Sequence, residues 1–340
     1  MSCTKALGGC AALVFLSGFS LAAHAQNPPA APIAPVAANQ VVDSLIGTFG
    51  SHPGMRKNHT KGTCATGEFI GTPETARYSR SLLFSGKAIP LVARFSVAGG
   101  NPDVADSARN ARGLALEFRL PDGNRQHITM LNTPVFGAAH PETFNDMIIA
   151  AKPDPATGKP DPVKLKAFFA SHPDAMDQAN FLQSHNPPAE YATSAFYGIH
   201  TFKFVDAKKA EHLVKWRFVP HDGERALTDA QLKSASHDFL EQDLIARTQK
   251  GAAQWDMIVT IGKPGDPQDN PTVLWPEDRE HFKAGTLSIS RAMPQAGAEC
   301  EKINFDPLVM ADGIAPTNDP ILLFRSPAYA ISFGKRLSGT

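Results

Sequence analysis

The sequence predicts an α+β protein built on an antiparallel β-barrel with helical insertions. Three observations carry that reading. Short segments of alternating apolar and polar residues dominate the first half of the chain, turn chemistry separates them, and two stretches with helix-capping signals fall between strand candidates. From Val41 onward no linker-like stretch or internal repeat interrupts the chain, so residues 41–340 read as one domain, somewhat above the usual size.

The N-terminal residues read as lying outside that domain. Lys5 precedes an apolar, small-residue run from Ala11 to Ala22, and Ala23-His24-Ala25 supplies a small-x-small cleavage signature. Residues 1–25 therefore read as a secretory signal peptide cut before Gln26, which implies export to the periplasm. The apolar run is shorter than the roughly 20 residues that a bilayer span requires, which argues against stable membrane insertion. No paired arginines precede it, so export in the unfolded state is expected, with any cofactor inserted afterwards. Residues 26–40 read as a Pro/Ala-rich tether without amphipathic period.

The strands follow from the pattern. In residues 113–120, Leu114, Leu116, Phe118 and Leu120 alternate with Ala115, Glu117 and Arg119, the period of a half-buried strand. Pro121-Asp122-Gly123-Asn124 is turn chemistry, and residues 126–131 return as the second arm of a hairpin. Residues 91–97, 199–205, 213–219, 255–261 and 286–291 are further strand candidates. Many short strands joined by turns suggest a barrel or a sandwich. Between them, Asp161 as N-cap and Pro162 at the first helical position open a helix through Leu165, Phe168 and Phe169. Thr228 and Gln231 form a capping box, after which Leu232, Phe239, Leu240, Leu244 and Ile245 make an apolar stripe that stops at Gly251.

Composition narrows the function. The 33 basic and 33 acidic residues cancel, which gives no electrostatic case for nucleic acid or an anionic membrane. The 21 Phe outnumber 4 Tyr and 3 Trp, and Phe fills apolar space without a hydrogen-bond partner, which suits a dry, bulky cavity. Cys3 and Cys10 leave with the signal peptide. Cys64 and Cys300 remain as an even pair in an oxidising compartment, where either a disulfide or two buried thiols is allowed. His52, His140, His172 and His185 sit in loop-like stretches with no shared face and read as solvated rather than metal-binding.

Three segments are polar where a strand-rich core should be apolar. They are Arg56-Lys57-Asn58-His59-Thr60-Lys61-Gly62, then Arg94-Phe95-Ser96 with Asn132-Thr133-Pro134-Val135-Phe136 downstream, and finally Arg325-Ser326-Pro327-Ala328-Tyr329 followed by Arg336. Singly, each has a plain structural explanation: a satisfied histidine, a turn-initiating asparagine, a helical packing pair. Jointly, their order, spacing and flanks resemble the monofunctional haem catalases. Arg56-x-x-His59-x-Lys61-Gly62 resembles the distal histidine motif and residues 132–136 the distal asparagine motif. Gly198-Ile199-His200-Thr201-Phe202-Lys203 is similar to a strand bearing a proximal-side histidine, and Arg325-x3-Tyr329-x6-Arg336 to the proximal signature. The resemblance runs from about Val41 to Leu337.

The resemblance implies a closed eight-stranded antiparallel barrel with inserted and C-terminal helices, holding haem b. It implies Tyr329 as the axial phenolate ligand of iron, as in catalase. A free phenol ionises only near pH ~10, and Arg325, one helical turn earlier, is placed to supply a stabilising cation. His59 would be the distal acid and base for bound peroxide. Asn132 would hydrogen-bond the peroxide and Ser96 orient the imidazole. Arg56, Arg94 and Arg336 would bind the haem propionates, with Phe136 and His200 completing the contacts. Departures from the large catalases matter as well. The chain stops three residues after Leu337, Asn58 is polar where an apolar residue is usual, a paired aromatic is reduced to Phe136-Gly137, and Ile331 replaces an Asp. These changes resemble the compact exported branch, the catalase-related peroxidases. They imply an open pocket in which hydrogen peroxide drives oxidation of a small organic donor, with weak catalase activity. The alternatives are a true catalase and, from another class, a non-catalytic periplasmic haem carrier with the ligand held in the barrel.

Overall fold

The alternating segments close into a barrel in the computed structural model, which describes residues 35–340. The signal peptide read in residues 1–25 and most of the tether lie outside the described residues. The strands are β1 (Gly62–Gly71), β2 (Ala88–Val97), β3 (Arg112–Arg119), β4 (Arg125–Leu131), β5 (Phe196–Tyr197), β6 (Phe202–Val205), β7 (Glu211–Pro220), β8 (Ala253–Ile261), β9 (His281–Pro294) and β10 (Ile314–Pro316). All pairings are antiparallel, in the order β7-β5-β4-β3-β2-β1-β9-β8, and pairing of β8 with β7 closes eight strands into a ring. β6 continues along β7 beside β5 and carries β10 on its far side.

The helices are α1 (Ala38–Phe49), α2 (Pro141–Ala150), α3 (Pro162–Ser171), α4 (Met176–Ser184), α5 (Asp229–Ser234), α6 (Phe239–Gln249), α7 (Glu299–Lys302) and α8 (Pro320–Ser338). Asp161 caps α3 by accepting from the Val163 amide at 2.8 Å, and the Thr228–Gln231 capping box forms in both directions. The stripe expected to run from Thr228 to Gly251 is two helices instead of one. Asp106, from the loop before β3, accepts from the Leu240 amide at 2.8 Å and so starts α6 afresh, a cap that no local pattern encodes. The tether also ends earlier than residue 40, because α1 begins at Ala38 and buries Val41, Val42 and Leu45. The strand expected over residues 199–205 is interrupted. A Cβ on Gly198 would lie 2.4 Å from the Trp216 indole nitrogen, and residues 198–201 leave the sheet between β5 and β6.

Strand alternation sorts the side chains. Phe69, Phe95, Phe118, Phe196, Phe218 and Trp255 are fully buried and fill the barrel interior, with Phe95 5.0 Å from Tyr191 and 5.9 Å from Trp255. Inside the barrel these phenylalanines make a solid core, while Phe136, Phe144, Phe305, Phe324 and Phe333 line a cavity outside it. Arg94 and Ser96, one residue to either side of Phe95, point out of the barrel and line a cavity. Cys64 on β1 and Cys300 in α7 are joined as a disulfide, with Cα atoms 5.6 Å apart.

Candidate active site

The cavity lies between the outer wall of β2–β4 and α8, and encloses about 1340 Å³ of space free of protein atoms, its open mouth included. Register explains the room on the barrel side. Gly62, Ser96, Gly113 and Leu131 stand opposite one another across β1–β4, so three small residues in a row leave a recess. The His59 imidazole occupies it, with Nδ1 2.9 Å from Ser96 Oγ. A Cβ on Gly113 would fall 2.7 Å from that Oγ and 3.0 Å from the imidazole, so any side chain there would press on both.

His59 itself holds φ at 52°, the left-handed region that a side chain disfavours by roughly 1–3 kcal/mol. Two contacts hold it. The His59 amide donates to Asn58 Oδ1 at 2.9 Å, and Arg94 Nη2 donates to the His59 carbonyl at 2.7 Å. Asn58 Oδ1 also accepts from the Gly99 amide at 2.9 Å. Its polarity therefore serves the loop backbone, and its side chain also lines the cavity. Burial, and then the charges of Arg94, Arg325 and Arg56, lower the imidazole to about 3. It is a neutral base at physiological pH.

Across the cavity, α8 carries Arg325, Tyr329 and Arg336 toward the barrel. Arg325 Nη2 donates to the Tyr329 hydroxyl at 2.6 Å. Arg325 Nη1 lies 3.1 Å from His200 Nε2, which must accept because a guanidinium only donates. That fixes the tautomer: Nδ1 carries the hydrogen and donates to Asp319 Oδ2 at 2.7 Å. Asp319 Oδ1 in turn caps α8 through the Ile321 and Leu322 amides, at 2.9 and 3.1 Å. His200 lines the cavity, yet both ring nitrogens are engaged, so it acts through Arg325.

Arg56, Arg94 and Arg336 gather at one end. Their protein partners are uncharged: the Cys300 and Ile303 carbonyls for Arg56, Gln295 Oε1 and the His59 and Thr60 carbonyls for Arg94, and the Ile303 carbonyl for Arg336. Burial first, then Arg94 and Arg336, push Arg56 well below its ordinary value, and burial lowers Arg94 to about 10. Arg336 Nη1 is buried without a partner. Three crowded cations, hydrogen-bonded only to neutral acceptors and with the single Glu301 carboxylate acting on all of them, call for a further anion from outside the chain. A planar cofactor with carboxylates at one edge, between a barrel wall and a tyrosine, fits these residues, and haem has that form.

Asn132 follows the lining residue Leu131 at the end of β4; its Oδ1 accepts from the Arg112 amide at 2.6 Å, which leaves the Nδ2 hydrogens as its remaining donors. One further reading needs correction. The aromatic beside Phe136 is not missing. Phe144 of α2 stacks on Phe136 at 5.6 Å, and both line the cavity. Gly137 instead makes room for Gln178, whose Oε1 would lie 2.6 Å from a Cβ there. Sequence reasoning also missed Gly113 and Asp319 as supports of the site. Among the described residues, no group of His, Cys, Asp and Glu is arranged to hold a metal ion.

A family model described as Catalase matches residues 53–340. The chain belongs to the catalase family. Among similar proteins, this catalase-family chain is 55% identical over 304 residues to a catalase-related peroxidase of Synechococcus elongatus, covering 89% of its own length and 90% of that protein. A catalase-related peroxidase of Mycolicibacterium paratuberculosis is 32% identical, with 86% and 93% covered. A catalase of Schizosaccharomyces pombe is 30% identical, but there the chain spans only 57% of the relative's length. Among solved structures, a fungal catalase superposes with a TM-score of 0.78 at 24% identity, covering 87% of this chain, which shows the shared fold. The catalase-family chain is thus an oxidoreductase of the haem peroxidase and catalase type.

Proposed function

We propose that this chain is a haem b peroxidase that uses hydrogen peroxide to oxidise small organic donors, with weak catalase activity. One juxtaposition carries the reading: a neutral His59, fixed by Ser96, shares a cavity with the Arg325-bonded Tyr329 and three guanidiniums whose hydrogen-bond partners are all uncharged. Tyr329 Oη would bind the haem iron, and Arg56, Arg94 and Arg336 would take the carboxylates. When bound, haem supplies the iron that splits the peroxide O–O bond and holds the oxidising equivalents. His59 accepts a proton from one peroxide oxygen at Nε2 and returns it to the departing oxygen, provided Nδ1–H donates to Ser96 Oγ. Arg325 directs positive charge at the Tyr329 oxygen, and His200 with Asp319 keeps Arg325 turned toward it.

A carrier is disfavoured, since holding a ligand needs no base braced in a strained loop. The filled interior also leaves no chamber inside the barrel. Peroxidase is favoured over catalase by the 55% identical relative, whose length the chain matches. The signal-peptide pattern in residues 1–25 supports a periplasmic location. Oxygen release and aromatic-donor oxidation, followed in the same preparation, test the proposal. Turnover should depend strongly on donor, and vigorous oxygen release that donor does not divert would make the protein a true catalase. His59→Ala should keep haem while slowing reaction with peroxide at least roughly 100-fold; an unchanged rate would place the base elsewhere.

A further inference from the structure

The segment after β9 backs all three guanidiniums. Gln295 Oε1 accepts from Arg94 Nε at 2.6 Å, the Cys300 and Ile303 carbonyls each accept from Arg56 Nη2 at 2.9 Å, and the Ile303 carbonyl also accepts from Arg336 Nη2 at 3.3 Å. Regular structure does little to hold this segment, because α7 is a single four-residue turn. A surface ion pair from Arg119 to Glu299 is another tie, of the kind that contributes little in water. The Cys64–Cys300 disulfide is of a different kind. It fastens the segment to β1 across 236 positions of sequence, and Cys64 stands directly opposite Arg94 in the sheet register. Both cysteines are buried with Val92 and Phe305, and Phe305 lines the cavity.

We infer that the Cys64–Cys300 disulfide is a positioning element for the cofactor, holding the carbonyls that aim Arg56 and Arg336, so that its reduction weakens the grip on a carboxylate-bearing haem. The inference rests on the haem reading above. Reduction by a dithiol moves two electrons and two protons: the S–S bond breaks, two thiols form, and the dithiol closes into its own disulfide. Sulfur atoms bonded at ~2.05 Å then separate to van der Waals contact. Cys300 shifts relative to β1, and its carbonyl and that of Ile303 shift with it.

The test is haem transfer from the holoprotein to excess apomyoglobin, followed by absorbance. It is run on oxidised protein, on protein reduced with dithiothreitol and checked by thiol titration, and on Cys64→Ala/Cys300→Ala protein. Each is repeated with haem dimethyl ester, which lacks free carboxylates. Reduced protein should release haem roughly tenfold faster, the scale of a lost hydrogen bond to a charged group, while the ester leaves oxidised and reduced protein at one rate. Unchanged haem release on reduction overturns the inference. So does equal acceleration of haem and ester, which would mark general loosening of the fold. If the double variant does not fold, reduction of the natural protein still decides. Oxidised protein that binds no haem would instead bring down the haem reading itself.

Discussion

Arg325 and Tyr329 are four apart on one helix, and that spacing alone brings the guanidinium to the hydroxyl at 2.6 Å. Tyr329→Phe should therefore bind little haem or bind it with an altered ferric spectrum, and a natural spectrum in that variant would remove the axial assignment. Gly113 was not legible, because its meaning depends on strand register: it faces Ser96 on β2 and leaves the space in which His59 sits. The roles of Asn58 and Gly137 were hidden for the same reason, since their partners Gly99 and Gln178 each lie 41 positions further along the chain. Gly113→Ala should fold and keep haem, but displace the imidazole from Ser96. Its reaction with peroxide should fall roughly 10- to 100-fold, within the range of lost acid–base catalysis. Stopped-flow mixing measures this directly, and natural kinetics would mean that the recess is not needed.

Among the elements, strands with clean alternation were legible and the interrupted ones were not. β3 and β4 follow the predicted hairpin, whereas the turn between β5 and β6 exists because Gly198 rests on Trp216 and His200 reaches Asp319. The break between α5 and α6 likewise depends on Asp106, a residue from another loop. Asp319 has two duties, one per carboxylate oxygen: it caps α8 and accepts from His200. These duties are separable. Asp319→Asn should keep the cap, and so most of the stability, but remove the charge that orients His200 toward Arg325. Asp319→Ala should lose the cap as well, at a further cost of about 1 kcal/mol. The expected outcome is a shifted haem spectrum in both variants but a clearly lowered melting temperature only in Asp319→Ala. Equal melting temperatures in the two would show that the cap contributes nothing.

For the whole molecule, the buried histidines set a direction for stability against pH. His59 is lowered from an ordinary 6.5 to about 3, chiefly by burial, and burial also lowers His200. Below pH 6.5 the unfolded chain takes up protons at these sites that the folded chain refuses, so the free energy of unfolding falls, and stability with it, as pH drops toward 3. The cofactor-free protein should melt progressively lower between pH 7 and pH 5, above the range in which carboxylates titrate. His59→Gln should flatten that slope, and an identical slope in the variant would assign it to other groups. The solid barrel interior also bears on the order of assembly. In the proposed reading haem would dock onto the outside of a finished wall, so the wall would need no cofactor as a template, and loading could follow folding. The cofactor would then join α8 to that wall. Amide exchange in the cofactor-free protein should then be slow throughout β1–β4 and fast along α8, and haem should slow only the second.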